Sequence, residues 1–178
     1  MKQLVLKLEP LTADSFAPYG FVFEPPKHTP DFECTERGSR SWEFSFHGGM
    51  PRLFLIETEF RPLKINRLEK HTELSQVFMP AGGGEAVLIV GLGEDEHSMP
   101  IKESLRAFHL DGRVGYGLHQ HTWHSLDRMP LGDEPTRWVM LTDHKTHDDL
   151  PLVAEGRAQY TQEINTIEKL GVELVVQI

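Results

Sequence analysis

The chain has 178 residues, 27 of them Asp or Glu against 18 Lys or Arg, for a net charge of -9. Its length fits one domain, and 39% hydrophobic residues suffice for a core without disulfides, which the lone Cys34 excludes within the chain. The acidic balance, with an isoelectric point near 5.5, argues against nucleic acid as a partner, because phosphate binding needs a basic face. The longest apolar run, Ala86 to Val90, is five residues, against the ~18 needed to span a membrane. The stretch from Met1 to Leu6 is too short an apolar segment for a signal peptide, and a cytoplasmic protein is expected.

In chain order, Leu4, Leu6 and Leu8 alternate as on one face of a strand. Thr12 to Phe16 offers cap residues but meets Pro18, so it supports one helical turn at most. The loop at 24–31 is expected to be exposed. Trp42, Phe44 and Phe46 alternate as a strand that ends at the turn His47 to Pro51. Further strands are predicted over Leu53–Phe60, Leu63–Leu68, Ser75–Met79, Glu85–Leu92, Leu105–Leu110, Thr122–Leu126 and Trp138–Thr142. His144 to Pro151 reads as an exposed loop that opens a C-terminal extension, about 145–178. Gln162 to Leu170 reads as a short helix stopped by Gly171, and Val172 to Ile178 as a closing strand. Many short strands and few helices, with 12 Pro and 15 Gly spread throughout, predict an all-β jelly-roll barrel or sandwich. A single domain over 1–178 is expected, the extension packing on or beside the barrel.

Ten histidines are many for this length, and two windows concentrate the chemistry. In the first, Glu69 and His71 are two residues apart, so both project from one face of a strand. Gln76 lies five residues beyond His71, enough for a turn that returns it to the pair. In the second, His119 and His121 share a face if the segment is extended, and His124 follows Trp123. His, an acid or amide, and another His meeting inside a barrel suit a borderline divalent cation such as Ni, Fe, Mn or Zn. Each His taken alone is more often a packing or surface residue, and Glu69 beside Lys70 could be a solvated carboxylate. His28, His47, His97, His109, His144 and His147 are assigned to solvent or packing.

The two windows together resemble the cupin motifs. Glu69-x-His71, four residues, Gln76, six residues, Gly83 keeps the first motif's spacing with two substitutions, and Trp123-His124 matches the second. More closely, the chain resembles the ureidoglycolate lyase family, cupins of allantoin breakdown. The pieces that carry the likeness are Leu11–Gly20, Ile65-Asn66-Arg67, Glu69-Lys70-His71 with Gln76 and Phe78-Met79-Pro80, Val87–Gly93, Leu105–Phe108, and His119 with Trp123-His124. The chain departs from the family where Lys70-His71-Thr72 replaces Arg-His-Pro and where Ser125 replaces a second His. Its tail beyond about His144 is also longer.

The resemblance implies cleavage of (S)-ureidoglycolate to glyoxylate and urea by a homodimer with a divalent metal, usually nickel. On that basis His71, Gln76 and His124 are assigned as metal ligands, with Glu69 as fourth ligand or base. His119 is assigned the proton transfer and Arg67 the electrostatic support of the substrate carboxylate, although an outward ion pair for Arg67 is equally compatible. Two other readings share the same residues. One is a different metal-dependent cupin enzyme, an oxygenase or a sugar-modifying one; the other is a non-enzymatic module that binds a small carboxylate.

Overall fold

The computed structural model describes residues 2–23, 31–41, 50–73 and 75–178. The strand expected at Trp42 to Phe46 lies outside the described residues, as does most of the loop expected at 24–31. The chain opens with β1 (Gln3–Pro10), α1 (Ala13–Phe16) and β2 (Gly20–Val22). There follow β3 (Phe32–Cys34), β4 (Ser39–Ser41), β5 (Pro51–Thr58), β6 (Lys64–Ile65), β7 (Arg67–His71) and β8 (Gln76–Gly83). Next come β9 (Ala86–Gly91), β10 (Arg106–Leu110), β11 (Tyr116–Leu118), β12 (Trp123–His124), β13 (Met129–Pro130) and β14 (Thr136–Asp143). The last elements are α2 (His144–Val153), β15 (Thr161–Asn165), α3 (Thr166–Leu170) and β16 (Glu173–Gln177).

Among the described residues, the larger sheet runs β15-β7-β12-β9-β10-β1-β16-β6, with β13 also paired to β9. The smaller runs β2-β11-β8-β14-β5, and β3 with β4 forms a separate ribbon. Pairing is antiparallel except where β1 lies parallel to β10 and β16. The unbroken apolar run of β9 explains the layering, because a strand buried at every position must be covered on both faces. Leu88 and Val90 join Phe16, Phe78, Tyr116 and Trp138 in a core that draws on both sheets. Val87 and Ile89 join Leu68, Trp123, Leu174 and Val176, all from the larger sheet, which curls on itself. The result is the all-β jelly roll that the alternation predicted, of the cupin kind that the motif resemblance implied. No helix among the described residues is long and apolar enough to cross a membrane.

The C-terminal elements differ from expectation. Residues 144–151 are not a loop: Asp143 accepts from the Thr146 amide at 2.9 Å and caps α2, and one capping carboxylate offsets the weak apolar pattern that hid the helix. The helix expected over Gln162 to Leu170 divides in two. Residues up to Asn165 extend along β7 as β15, and only Thr166–Leu170 turns helical, with the Asn165 side chain accepting from the Ile167 and Glu168 amides. Residues beyond 145 thus contribute two strands to the larger sheet, β15 at its edge and β16 beside β1. The single turn expected before Pro18 is α1, closed by a Thr12–Ser15 capping box.

The cupin-motif glycine has a backbone reason. Gly83 sits at φ 98°, beside a register shift between β8 and β14, and a Cβ there would lie 2.2 Å from the Pro135 carbonyl oxygen. Gly83→Ala is therefore expected to destabilise the protein by more than about 1 kcal/mol, read as a lower urea midpoint with an unchanged slope.

Candidate metal centre and active site

Two strands and one bend assemble the site. Period-two alternation on β7 turns Glu69 and His71 to one face and Leu68 and Lys70 to the other. Antiparallel pairing of β12 with β7 sets His124 directly opposite Glu69. Beyond His71 the chain leaves the larger sheet and re-enters the smaller at Gln76, so the turn expected there is a crossing between sheets rather than a hairpin. Between the sheets lies a cavity of about 150 Å³ lined by Glu69, His71, Gln76 and Arg128, with Ile56 and Met140 among its apolar walls. His124 is buried beside the lining Glu69, and the Trp123 indole is buried on the opposite face, in the core with Leu68.

The polar atoms of this group lack partners in a telling way. The Nε2 atoms of His71 and His124 and the Oε1 atom of Gln76 are buried with no hydrogen bond. His124 Nδ1 lies 3.1 Å from the Thr122 carbonyl oxygen, which can only accept, so Nδ1 carries the proton. In the neutral ring Nε2 is then a lone pair, and it faces Glu69 Oε1 at 3.3 Å. His71 Nε2 faces the same oxygen at 3.8 Å, while its Nδ1 meets the Thr161 hydroxyl at 3.1 Å. The His124 lone pair and the Glu69 carboxylate repel unless a cation or a proton lies between them, and His71 Nε2 points at the same oxygen. Glu69, His71 and His124 place their ligand atoms within 4.8 Å of one another. Such a donor set could hold a metal ion, each histidine being oriented through its other ring nitrogen as metal-ligating histidines are. Gln76, whose Oε1 has no partner, lines the same cavity.

The electrostatics point the same way. Burial pushes the His71 imidazole down to about 4, against the opposing pull of Glu69. Burial also raises the Glu69 carboxyl, but a hydrogen bond and positive charge at His124, then the charges of His71 and the more distant Arg128, outweigh it and bring it down to about 2. The carboxylate is thus the form that positive charge on this side of the cavity favours. A neutral imidazole and an ionised carboxylate are the forms that ligate.

Other residues singled out from the sequence lie elsewhere. Arg67 is at the surface and pairs with Glu163 on β15, the outward ion pair that was equally compatible. His119 does not line the cavity. The segment 119–122 is a turn, not extended: the Thr122 amide reaches the His119 carbonyl and His121 has φ 65°. His119 therefore borders a separate surface cleft with Glu96 and His121. Lys70, on the back face as alternation required, is fully buried and donates to the carbonyls of Glu96 and Ser98 beside the Trp123 ring. Two cavity residues were missed. Arg128, only 3% exposed, follows no motif and had no signal beyond its closeness to Trp123-His124. His147, assigned to solvent or packing, lines the cavity from α2 with Thr146 and Leu150, and only recognition of that helix could have placed it.

A jelly roll with two histidines and a carboxylate converging between its sheets is a cupin with a candidate metal centre. The family model described as ureidoglycolate lyase matches residues 3–161, and the chain belongs to that family. The ureidoglycolate lyase of Pseudomonas paraeruginosa is 32% identical over 132 residues, 67% of this chain and 73% of that protein. The ureidoglycolate lyase of Pseudomonas fluorescens is 30% identical over the same length. That of Salmonella paratyphi B is 37% identical over 87 residues, 49% of this chain and 48% of that protein. The chain is accordingly an enzyme with a small-molecule substrate.

His124→Ala is expected to leave the protein folded but without bound metal, measured as metal per chain by mass spectrometry beside the circular dichroism spectrum. Thr161→Val keeps the side-chain shape but frees the His71 Nδ1 atom, and is expected to weaken metal affinity by roughly 10–100-fold, read by competition with a chelating dye.

Proposed function

We propose that this chain is a ureidoglycolate lyase that cleaves (S)-ureidoglycolate to glyoxylate and urea in purine breakdown. The observation that carries the reading is the buried Glu69–His71–His124 group on the wall of a small cavity, in a chain of this family. We assign His71, His124 and Glu69 as ligands of a divalent cation, nickel by family resemblance, with Gln76 as the fourth. When bound, such a cation acts as a Lewis acid that lowers the pKa of a substrate hydroxyl.

The rest of the chemistry falls to the chain's own residues. The substrate carries a hydroxyl, a ureido nitrogen and a carboxylate on one carbon. Cleavage breaks the carbon–nitrogen bond, its electron pair leaves with nitrogen, and the carbon–oxygen bond becomes a carbonyl. One proton leaves the hydroxyl and one reaches the nitrogen. Glu69, an acceptor-only group on the cavity wall, orients the hydroxyl by accepting its hydrogen bond, and the first proton passes on to solvent. His147 is the cavity-lining imidazole outside the ligand set, and its Nδ1 is taken up by Arg52 at 2.8 Å. That leaves Nε2 to serve the departing nitrogen. This assignment replaces His119, which faces the other cleft. The apolar walls from Ile56, Leu126, Met140 and Leu150 keep water from the reacting carbon.

We also infer a homodimer. Leu55 and Met79 are 70% and 45% exposed, and both neighbour Val139 in one cross-strand row of the smaller sheet. Such a row, with Leu53 at 67% beside it, is a surface that a second copy would cover.

The pairing of two histidines with one carboxylate is also the ligand set of non-haem Fe(II) oxygenases, which keeps that reading as the second. Incubating the metal-loaded enzyme with racemic ureidoglycolate separates the two. Urea and glyoxylate formed one for one without oxygen uptake are expected. Ammonia in place of urea would indicate hydrolysis, and substrate-dependent oxygen uptake would favour the oxygenase. In the same assay His147→Ala is expected to lower kcat by about 10²-fold at unchanged metal content, whereas His119→Ala retains turnover. The reverse pattern would restore the proton transfer to His119.

A further inference from the structure

The cavity holds a second group whose chemistry is incomplete. Arg128 is 3% exposed, and an arginine keeps its charge at any pH at which the protein folds. A buried guanidinium is costly unless paired, yet no carboxylate among the described residues comes within ion-pair distance of it. Its contacts are of another kind. Nε donates to the Tyr116 hydroxyl at 2.8 Å, and Nη1 donates to the Leu126 carbonyl at 3.3 Å. The guanidinium carbon lies 3.7 Å from the centre of the Phe78 ring. These contacts fix the plane and rotation of the group, and they leave Nη2 buried with no partner.

We infer that Arg128 is the residue that binds the carboxylate of the substrate, its unpartnered Nη2 being the anchor for the anionic end of a small α-substituted monocarboxylate. The inference rests on the proposed reading of this cavity and extends it to specificity. Three observations support it. The cavity volume of about 150 Å³ lies well below the ~300–1,000 Å³ of pockets for larger ligands, so the ligand is small. Apart from the histidines, the charged residues lining it are Glu69 and Arg128, one of each sign. A divalent cation on Glu69 and its neighbours would therefore leave the cavity two positive charges in excess, a surplus that an anionic substrate offsets. Finally, a guanidinium fork held in one orientation by a phenol, a carbonyl and a ring matches a planar carboxylate, which a flexible ammonium would not. Arg67, the alternative from the sequence, is at the surface with Glu163.

The test uses the metal-loaded enzyme with glyoxylate and urea as separate probes in isothermal titration calorimetry, alongside Arg128→Gln and Arg128→Lys. Expected is a roughly 10–100-fold loss of glyoxylate affinity in Arg128→Gln, partial recovery in Arg128→Lys, unchanged urea binding and unchanged metal content. KM for ureidoglycolate should rise more than kcat falls. Glyoxylate binding as tight as in the parent protein, with only a lower melting temperature, would overturn the inference and leave Arg128 a packing residue. If neither variant folds, a crystal of the parent protein soaked in glyoxylate decides. A carboxylate oxygen within hydrogen-bond distance of Nη2 supports the assignment, and one beyond 4 Å overturns it. Should the parent protein bind glyoxylate through Arg128 yet fail to cleave ureidoglycolate, the inference stands and the proposed reaction falls.

Discussion

The register between β7 and β12 governs everything else in the pocket. Because His124 pairs directly with Glu69, their side chains rise from neighbouring strands on one face, at the close spacing of cross-strand partners. A slip of one residue would bring Trp123 into the pocket and send His124 into the apolar core on the other side. Burial on that other side enforces the register: Leu68, Lys70 and Trp123 are each at or near full burial. The Lys70 ammonium adds direction by reaching the carbonyls of Glu96 and Ser98, and the Trp123 indole donates to the same Ser98 carbonyl. The candidate ligands Glu69, His71 and His124 thus face one way because their neighbours are held firmly the other way.

The pocket concentrates unfulfilled polarity. Protein interiors rarely leave polar atoms without partners, and those that remain ask for an explanation. Here His71, His124, Gln76 and Arg128 all contribute such atoms at or beside the cavity that Glu69 lines. They divide by chemistry: lone pairs on imidazole and amide gather near Glu69, and an N–H donor sits on the guanidinium. A cation satisfies the first group and an anion the second. A ligand that offers a hydroxyl to the first group and a carboxylate to the second would meet both demands at once.

Much of the fold was legible in the sequence because strand alternation reports burial directly: the leucines of β1, the apolar run of β9 and the Glu69–His71 pair all follow from a period of two. The spacing from Glu69 to Gly83 was legible for a sterically plain reason, since the glycine position admits no Cβ. The site was only partly so. His119 was misplaced because a turn broke the alternation assumed for 119–124, and nothing local announces that His121 takes a left-handed backbone. Arg67 shared the parity of Glu69 but stands at the start of its strand, where β15 and Glu163 meet it at the surface. Arg128 and His147 depend on long-range packing, one on Tyr116 and Phe78, the other on a helix whose start rests on a single carboxylate. Sequence period carries no information about either.

Asp149, buried on α2, accepts from the backbone amides of Gln159, Tyr160 and Thr161 at 2.7–2.8 Å. The same helix supplies Thr146, His147 and Leu150 to the cavity, and Thr161 supports the His71 ring. One carboxylate therefore rivets the helix over the pocket to the strand that steadies a candidate metal ligand. Load applied to either element is thus shared with the other, and the cavity lining from α2 and the seat of the His71 ring are anchored at one point.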